Sequence, residues 1–223
     1  MAKRAPKSAA GKAVAEGKSK RGSRKPPAAV RPAKSPARGA AGAVYPLKIT
    51  LDHIRPPIWR RVQVKDCSLA DLHYVIQTSM GWYNSHLHIF EIAKEQYGDP
   101  EQWQDAMWGH DVADEGKVKL GRLVGAGVKK FHYEYDMGDS WGHTIQVEKM
   151  LPAEAGVHYP PCVDGKRACP PEDCGGPWGY GGFLDAVQNP RNPQHEEMRE
   201  WVGGSFDPEA FDLDAVNRRL AKC

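Results

Sequence analysis

From Val44 onward the apolar positions first fall two residues apart and then three or four apart. Leu47, Ile49 and Leu51 alternate with polar or small residues, the period of a strand with one buried face, and Ile58, Val62 and Val64 repeat the pattern after the Arg55-Pro56-Pro57 break. This pair predicts two antiparallel strands opening a folded domain. Ser68 then precedes Leu69, Leu72, Val75, Ile76 and Met80, a helical stripe. Asp71 is placed to complete a capping box and Gly81 to end the helix. Strand-like runs follow at 86–92, 129–136 and 143–150, and 120–124 reads as a short helical turn. The stretch 97–117 sets Trp103 and Trp108 among acids and glycines and reads as a loop or insertion.

Further on, punctuation becomes dense: Tyr159-Pro160-Pro161, Cys169-Pro170-Pro171, then Gly175, Gly176, Gly179, Gly181 and Gly182. A loop stiffened by proline and turned by glycine is expected there. Short helices are predicted at 183–187 and 195–202, the second stopped by Gly203-Gly204. A last one is predicted to start at Asp207-Pro208-Glu209, with proline in its first turn, and to present Phe211, Leu213, Val216 and Leu220. Residues 44–223 thus read as one α+β domain with a mixed or antiparallel sheet and C-terminal helices, a length sufficient for a real core.

Charge divides the chain at the same place. Residues 1–43 hold twelve Lys or Arg and one acid, Glu16, of the 31 basic and 28 acidic residues in the whole. A basic arm therefore precedes a body with a net excess of acids. The arm is a mixture of Ala, Lys, Arg, Pro, Gly and Ser with no apolar period, so ordering it would cost more entropy than burial returns, and it reads as disordered. Lys18, Lys20, Arg21, Arg24 and Lys25, with Lys34 and Arg38 beyond them, suit DNA or RNA, since each phosphate neutralised releases counterions. A solubilising tail is a second reading. A transit peptide is a third, opposed by the Pro and Gly content. No secretory signal and no run long and apolar enough for a membrane span is visible, so a cytoplasmic location, compatible with the nucleoid, and no membrane partner are expected.

Several motifs carry a resemblance. Ile58-Trp59-Arg60-Arg61, the segment Tyr135-Asp136-Met137-Gly138-Asp139-Ser140-Trp141-Gly142-His143 and the run Cys169-Pro170-Pro171-Glu172-Asp173-Cys174-Gly175-Gly176 resemble the plasmid pRiA4b ORF-3-like family. His86-Leu87-His88-Ile89-Phe90 and the closing Phe206-Asp207-Pro208-Glu209-Ala210-Phe211-Asp212 fit the same pattern. The resemblance implies an α/β-roll-like domain of plasmid and insertion-element passenger proteins. These are sometimes given a resolvase label and have no established reaction. The basic arm lies outside it.

Candidate chemistry gathers at three places. In the hairpin, Asp136, Asp139 and His143 are expected to converge near one strand end. Joined by His86 or His88 from a neighbouring strand, they would suit a divalent metal and a hydrolytic water. Capping of turn amides by the aspartates and burial of His143 is the alternative. His158, Cys162, Cys169 and Cys174 offer four ligands for zinc, although the C-x6-C-x4-C spacing lacks the tight C-x2-C pairs of common zinc folds. Glu172 and Asp173 with Trp178 and Tyr180 describe either a small binding surface, open to a protein partner, or a packed structural loop. Arg55, Arg60, Arg61 and Lys65 are the basic residues with which the acidic body would meet nucleic acid, if they share a face. The odd count of five cysteines implies no disulfide framework, with Cys223 the most exposed. No phosphate loop, serine elbow or H-E-x-x-H motif occurs.

Overall fold

A computed structural model describes residues 42–105 and 111–223, so the arm through residue 41 and Trp108 lie outside the described residues. The first strand, β1 (Ala43–Leu51), runs antiparallel to β2 (Trp59–Val64), with Leu47 opposite Val62. Their apolar alternation points Tyr45, Leu47, Ile49, Leu51, Val62 and Val64 into the core. Helix α1 (Leu69–Met80) lays Leu69, Leu72 and Ile76 in the same core. It starts on the expected capping box, Ser68 with Asp71, and stops at Gly81 in the left-handed conformation, φ 104°.

The chain continues as β3 (His88–Ile92) and β4 (Glu95–Gly98), then α2 (Pro100–Asp105) and β5 (Ala113–Asp114), and a 3-10 turn over Glu115–Lys117. The stretch expected to be a loop therefore carries two strands and a helix. Its anchors are non-local. Trp103 is buried and donates its indole N–H to the carbonyl of His88 at 2.9 Å, and Glu115 is buried against His88. After α3 (Leu120–Gly125), strands β6 (Lys130–Tyr135) and β7 (Trp141–Val147) form the expected hairpin, followed by β8 (Leu151–Pro152) and β9 (Cys162–Lys166).

Among the described residues the strands make one mixed sheet in the order β5-β4-β3-β6-β7-β1-β2-β9, with β8 beside β1; β4 and β5 pair in parallel and the other pairs antiparallel. One face buries Phe90, Phe131, Tyr133, Trp141 and Ile145 with the apolar side of α1, while Lys48, Thr50, Trp59, Arg61, His132 and Thr144 on the other stay partly exposed. The fold is α+β.

The glycine run is not the loop its composition predicts. It enters helix α4 (Gly176–Gln188), because Tyr180, Phe183, Ala186 and Val187 bury a helical stripe whose packing outweighs the low helix propensity of glycine. Helix α5 (His195–Trp201) stops before Gly203-Gly204 as expected. The last helix, α6 (Leu213–Leu220), begins six residues later than Asp207. Asp212 is its cap, accepting the amide of Ala215 at 2.8 Å, whereas Asp207 closes a separate turn onto Glu209 and Ala210. No helix among the described residues is long and apolar enough to cross a membrane.

Candidate functional site

Three connecting segments meet where β6 ends. The first, 82–87, leaves α1 after Gly81. Within it Trp82 donates to the Pro170 carbonyl at 3.0 Å, and Asn84 is held from α1 by His73 at 2.7 Å and by Gln77, which accepts its amide at 3.2 Å. The second is the turn between β6 and β7. Asp136 sits in the left-handed region, φ 61°, and its Oδ1 accepts the amides of Gly138 and Asp139 at 2.9 and 3.2 Å. The third is the segment before α4. Glu172 Oε1 accepts the Tyr135 hydroxyl at 2.5 Å and the Tyr83 amide at 3.1 Å, and Asp139 Oδ2 accepts the Gly175 amide at 3.1 Å. The Tyr135 oxygen in turn accepts the Ser85 amide at 2.9 Å. Each segment is thus tied to both others.

Their junction places His86 between two carboxylates. Its Nε2 lies 3.2 Å from Asp173 Oδ1 and 3.6 Å from Asp136 Oδ2. One ligand-capable atom from each residue falls within 4.8 Å of the other two. His86 Nε2 is closed off from solvent yet makes no hydrogen bond, Asp136 is buried, and Asp173 is open to solvent. An imidazole nitrogen and two carboxylate oxygens so arranged can hold a divalent cation.

Of the hairpin residues expected to converge, Asp136 meets His86, Asp139 serves the neighbouring loop amide, and His143 takes no part. His143 is wholly buried, its ring 5.3 Å from those of Trp82 and Tyr133, and its nitrogens make no side-chain hydrogen bond. Burial pulls its pKa down to about 4. The register explains this: His143 stands opposite Tyr133 and Leu51 on the core face, away from the turn. His88 is also committed elsewhere. It stacks on His73 with ring centroids 3.5 Å apart and meets Glu115 at 2.8 Å.

His158, Cys162, Cys169 and Cys174 form no ligand group among the described residues. His158 is exposed, the Cys162 thiol donates to the Asp164 carbonyl at 3.3 Å, and burial pushes the Cys169 and Cys174 thiols up to about 12, away from thiolate. All five cysteines are free and Cys223 is exposed.

The arginines do not make one basic patch. Arg60 is buried, donating to the carbonyls of Ser79, Trp59 and Lys166 and stacking on Phe211 at 4.6 Å. Arg61 lies on the opposite face, paired with Glu148 and Asp164 at 3.1 Å each and 5.2 Å from the Trp59 ring. Arg55 is exposed, and Lys65 lies over Tyr159 at 5.3 Å. Trp178 and Tyr180 do not form one wall either. Trp178 is 81% exposed and stacks on His53 at 5.4 Å, whereas Tyr180 is buried against Phe183 and Phe206.

Two features were not visible in the sequence: the meeting of Asp173 with His86, and the buried His73–His88–Glu115 column. Neither has a local signal, because each joins segments far apart in the chain.

Fold and site together define an α+β protein with a loop cluster of mixed imidazole and carboxylate character. The chain belongs to the plasmid pRiA4b ORF-3-like protein family, whose model matches residues 43–215. It is 41% identical over 181 residues to the uncharacterized protein y4hQ of Sinorhizobium fredii (strain NBRC 101917 / NGR234), covering 80% of this chain and 91% of that one. It is also similar to the crystal structure of a protein of unknown function, MM3350, from Methanosarcina mazei Go1. That similarity has a TM-score of 0.68 and 37% identity, over 77% of this chain and 96% of the other.

Proposed function

We propose that the chain is a nucleic-acid-associated accessory protein of a plasmid or insertion element, cytoplasmic or held at the nucleoid, whose basic arm makes the phosphate contacts. The partition of charge carries this reading. Twelve of the 31 basic residues lie in residues 1–43 against one acid, and the folded body, left with an excess of acids, uses Arg60 and Arg61 internally. A body of that sign repels phosphate at long range, so the arm is the part suited to hold a polyanion.

The test is binding of full-length protein to DNA and to RNA across a salt series. Replacing Lys18, Lys20, Arg21, Arg24, Lys25, Lys34 and Arg38 with Gln is expected to flatten the salt slope, by about 0.7 to 0.9 for each phosphate that is no longer neutralised, and to weaken binding at low salt. Unchanged binding in that variant, or no salt-sensitive binding by the parent chain, would refute the proposal. A second reading, a protein-interaction surface, is favoured by Tyr83 and Trp178, which stand 85% and 81% exposed on and beside the segments that build the loop cluster.

A further inference from the structure

We propose that His86, Asp136 and Asp173 form a binding site for one divalent cation of the zinc or manganese class, on the folded domain and independent of the arm. The two separations from the His86 ring match the chemistry. With metal–ligand bonds of about 2.0 to 2.2 Å, neighbouring ligands of a tetrahedral site stand about 3.4 Å apart. His86 Nε2 is 3.2 Å from one carboxylate oxygen and 3.6 Å from the other. An ordinary His–Asp pair would aim the ring N–H along one of these vectors. Here the nitrogen is shut away from water and makes no hydrogen bond. It is therefore not committed as a donor to either carboxylate, and in the neutral ring it is free to ligate.

The surrounding bonds hold the ligands from behind. Asp136 uses Oδ1 for the turn amides of Gly138 and Asp139, leaving Oδ2 toward His86. Asp173 lies between Glu172, fixed by the Tyr135 hydroxyl, and Gly175, fixed by Asp139. Such outer bonds orient ligands before the ion arrives. Two carboxylates and one imidazole suit a 2+ ion of borderline hardness, and the solvent-open side at Asp173 leaves a coordination position for water or a substrate oxygen. Thiol ligands do not contribute, since Cys169 and Cys174 are not among the grouped residues.

The experiment is titration of chelator-stripped full-length protein with Zn2+, Mn2+ and Co2+, read by calorimetry and, for Co2+, by its absorption spectrum. One equivalent is expected to bind, with no thiolate charge-transfer band. His86→Gln and Asp173→Asn are each expected to weaken binding at least about tenfold. Asp173 is open to solvent, so its substitution spares the core and keeps the test valid should His86→Gln fail to fold. The arm variant described above is expected to bind the metal unchanged, which separates this site from the nucleic-acid reading. Absence of saturable binding, a thiolate band, or binding that survives both substitutions would overturn the proposal.

Discussion

The hydroxyl of Tyr135 donates to Glu172 Oε1 at 2.5 Å, linking the end of a central strand to a loop 37 residues away. The same oxygen accepts the Ser85 amide, so one side chain joins all three segments of the cluster. Burial and the neighbouring carboxylate raise the Tyr135 pKa above its ordinary value, which keeps the proton on the phenol as a donor. Tyr135→Phe leaves Glu172 and the Ser85 amide each short of a partner. It is expected to destabilise the chain by about 1–3 kcal/mol in urea unfolding. A double-mutant cycle with Glu172→Gln is expected to show coupling of about 0.5 kcal/mol or more. Additive losses would mean the bond does not form in solution.

Gly176 sits at φ 67°, where an added Cβ would run into the Asp139 carbonyl. Two independent penalties therefore act on Gly176→Ala, backbone strain and a clash with a backbone that the turn holds in place. The expected cost is about 2 kcal/mol or more, against almost none for Gly181→Ala, which meets open space in the same helix. Thermal unfolding of the two variants side by side tests this, and equal stabilities would show that the loop and turn are not interlocked.

Acid stability turns on the buried histidines. Burial, and then the neighbouring His88, pull His73 down to about 3, and burial takes His143 to about 4, from an ordinary value of 6.5. Below pH 6.5 the unfolded chain binds these protons and the folded chain does not, so stability falls with falling pH. Both histidines contribute down to about pH 4, and His73 alone from there to about pH 3. Each proton is worth about 1.4 kcal/mol per pH unit inside its window. His143→Leu removes one of the two slopes and replaces a ring whose nitrogens have no side-chain partner. It is expected to match or exceed the parent at pH 7 and to lose less on acidification. Urea unfolding from pH 7 to 4.5 checks both, and a large loss at pH 7 would mean that His143 has a partner in solution.

What the sequence shows is local. The Ser68–Asp71 box and the Gly81 stop follow from residues three to twelve apart, and the β6–β7 hairpin follows from its alternation around Asp136–Ser140. The glycine run before Phe183 misleads because helix α4 is stabilised by what Tyr180 and Phe183 bury rather than by propensity. In the same way, residues 97–117 depend on Trp103 and Glu115 finding His88. For the site, sequence places His86 and Asp136 as candidates for one centre. It cannot replace His143 with Asp173, since only the sheet register turns His143 inward and only the loop packing brings Asp173 to His86.

On the open face of the sheet, His132 Nδ1 lies 3.4 Å from Asp52 Oδ2. The hydrogen bond to Asp52 raises the His132 pKa against the opposing effect of burial. The Asp52 pKa is lowered because, although burial opposes ionisation, the bonds from His132 and Thr144 prevail. A base with a raised folded pKa stabilises the fold below its ordinary 6.5 and loses that contribution as pH rises through its folded value. An acid with a lowered pKa stabilises above its ordinary 3.8 and loses it as pH falls through its folded value. The pair therefore contributes most between about pH 4 and 6.5. Because His132 is partly exposed, Asp52→Asn is expected to cost about 1 kcal/mol or less in that window, and less still well above it. In NMR titrations the His132 ring of the parent is expected to titrate above 6.5, and lower in Asp52→Asn than in the parent, since the bond and charge of Asp52 are lost while burial and the attraction of Glu134 and Glu91 remain. A His132 midpoint that does not move in the variant would show that the carboxylate is not its partner.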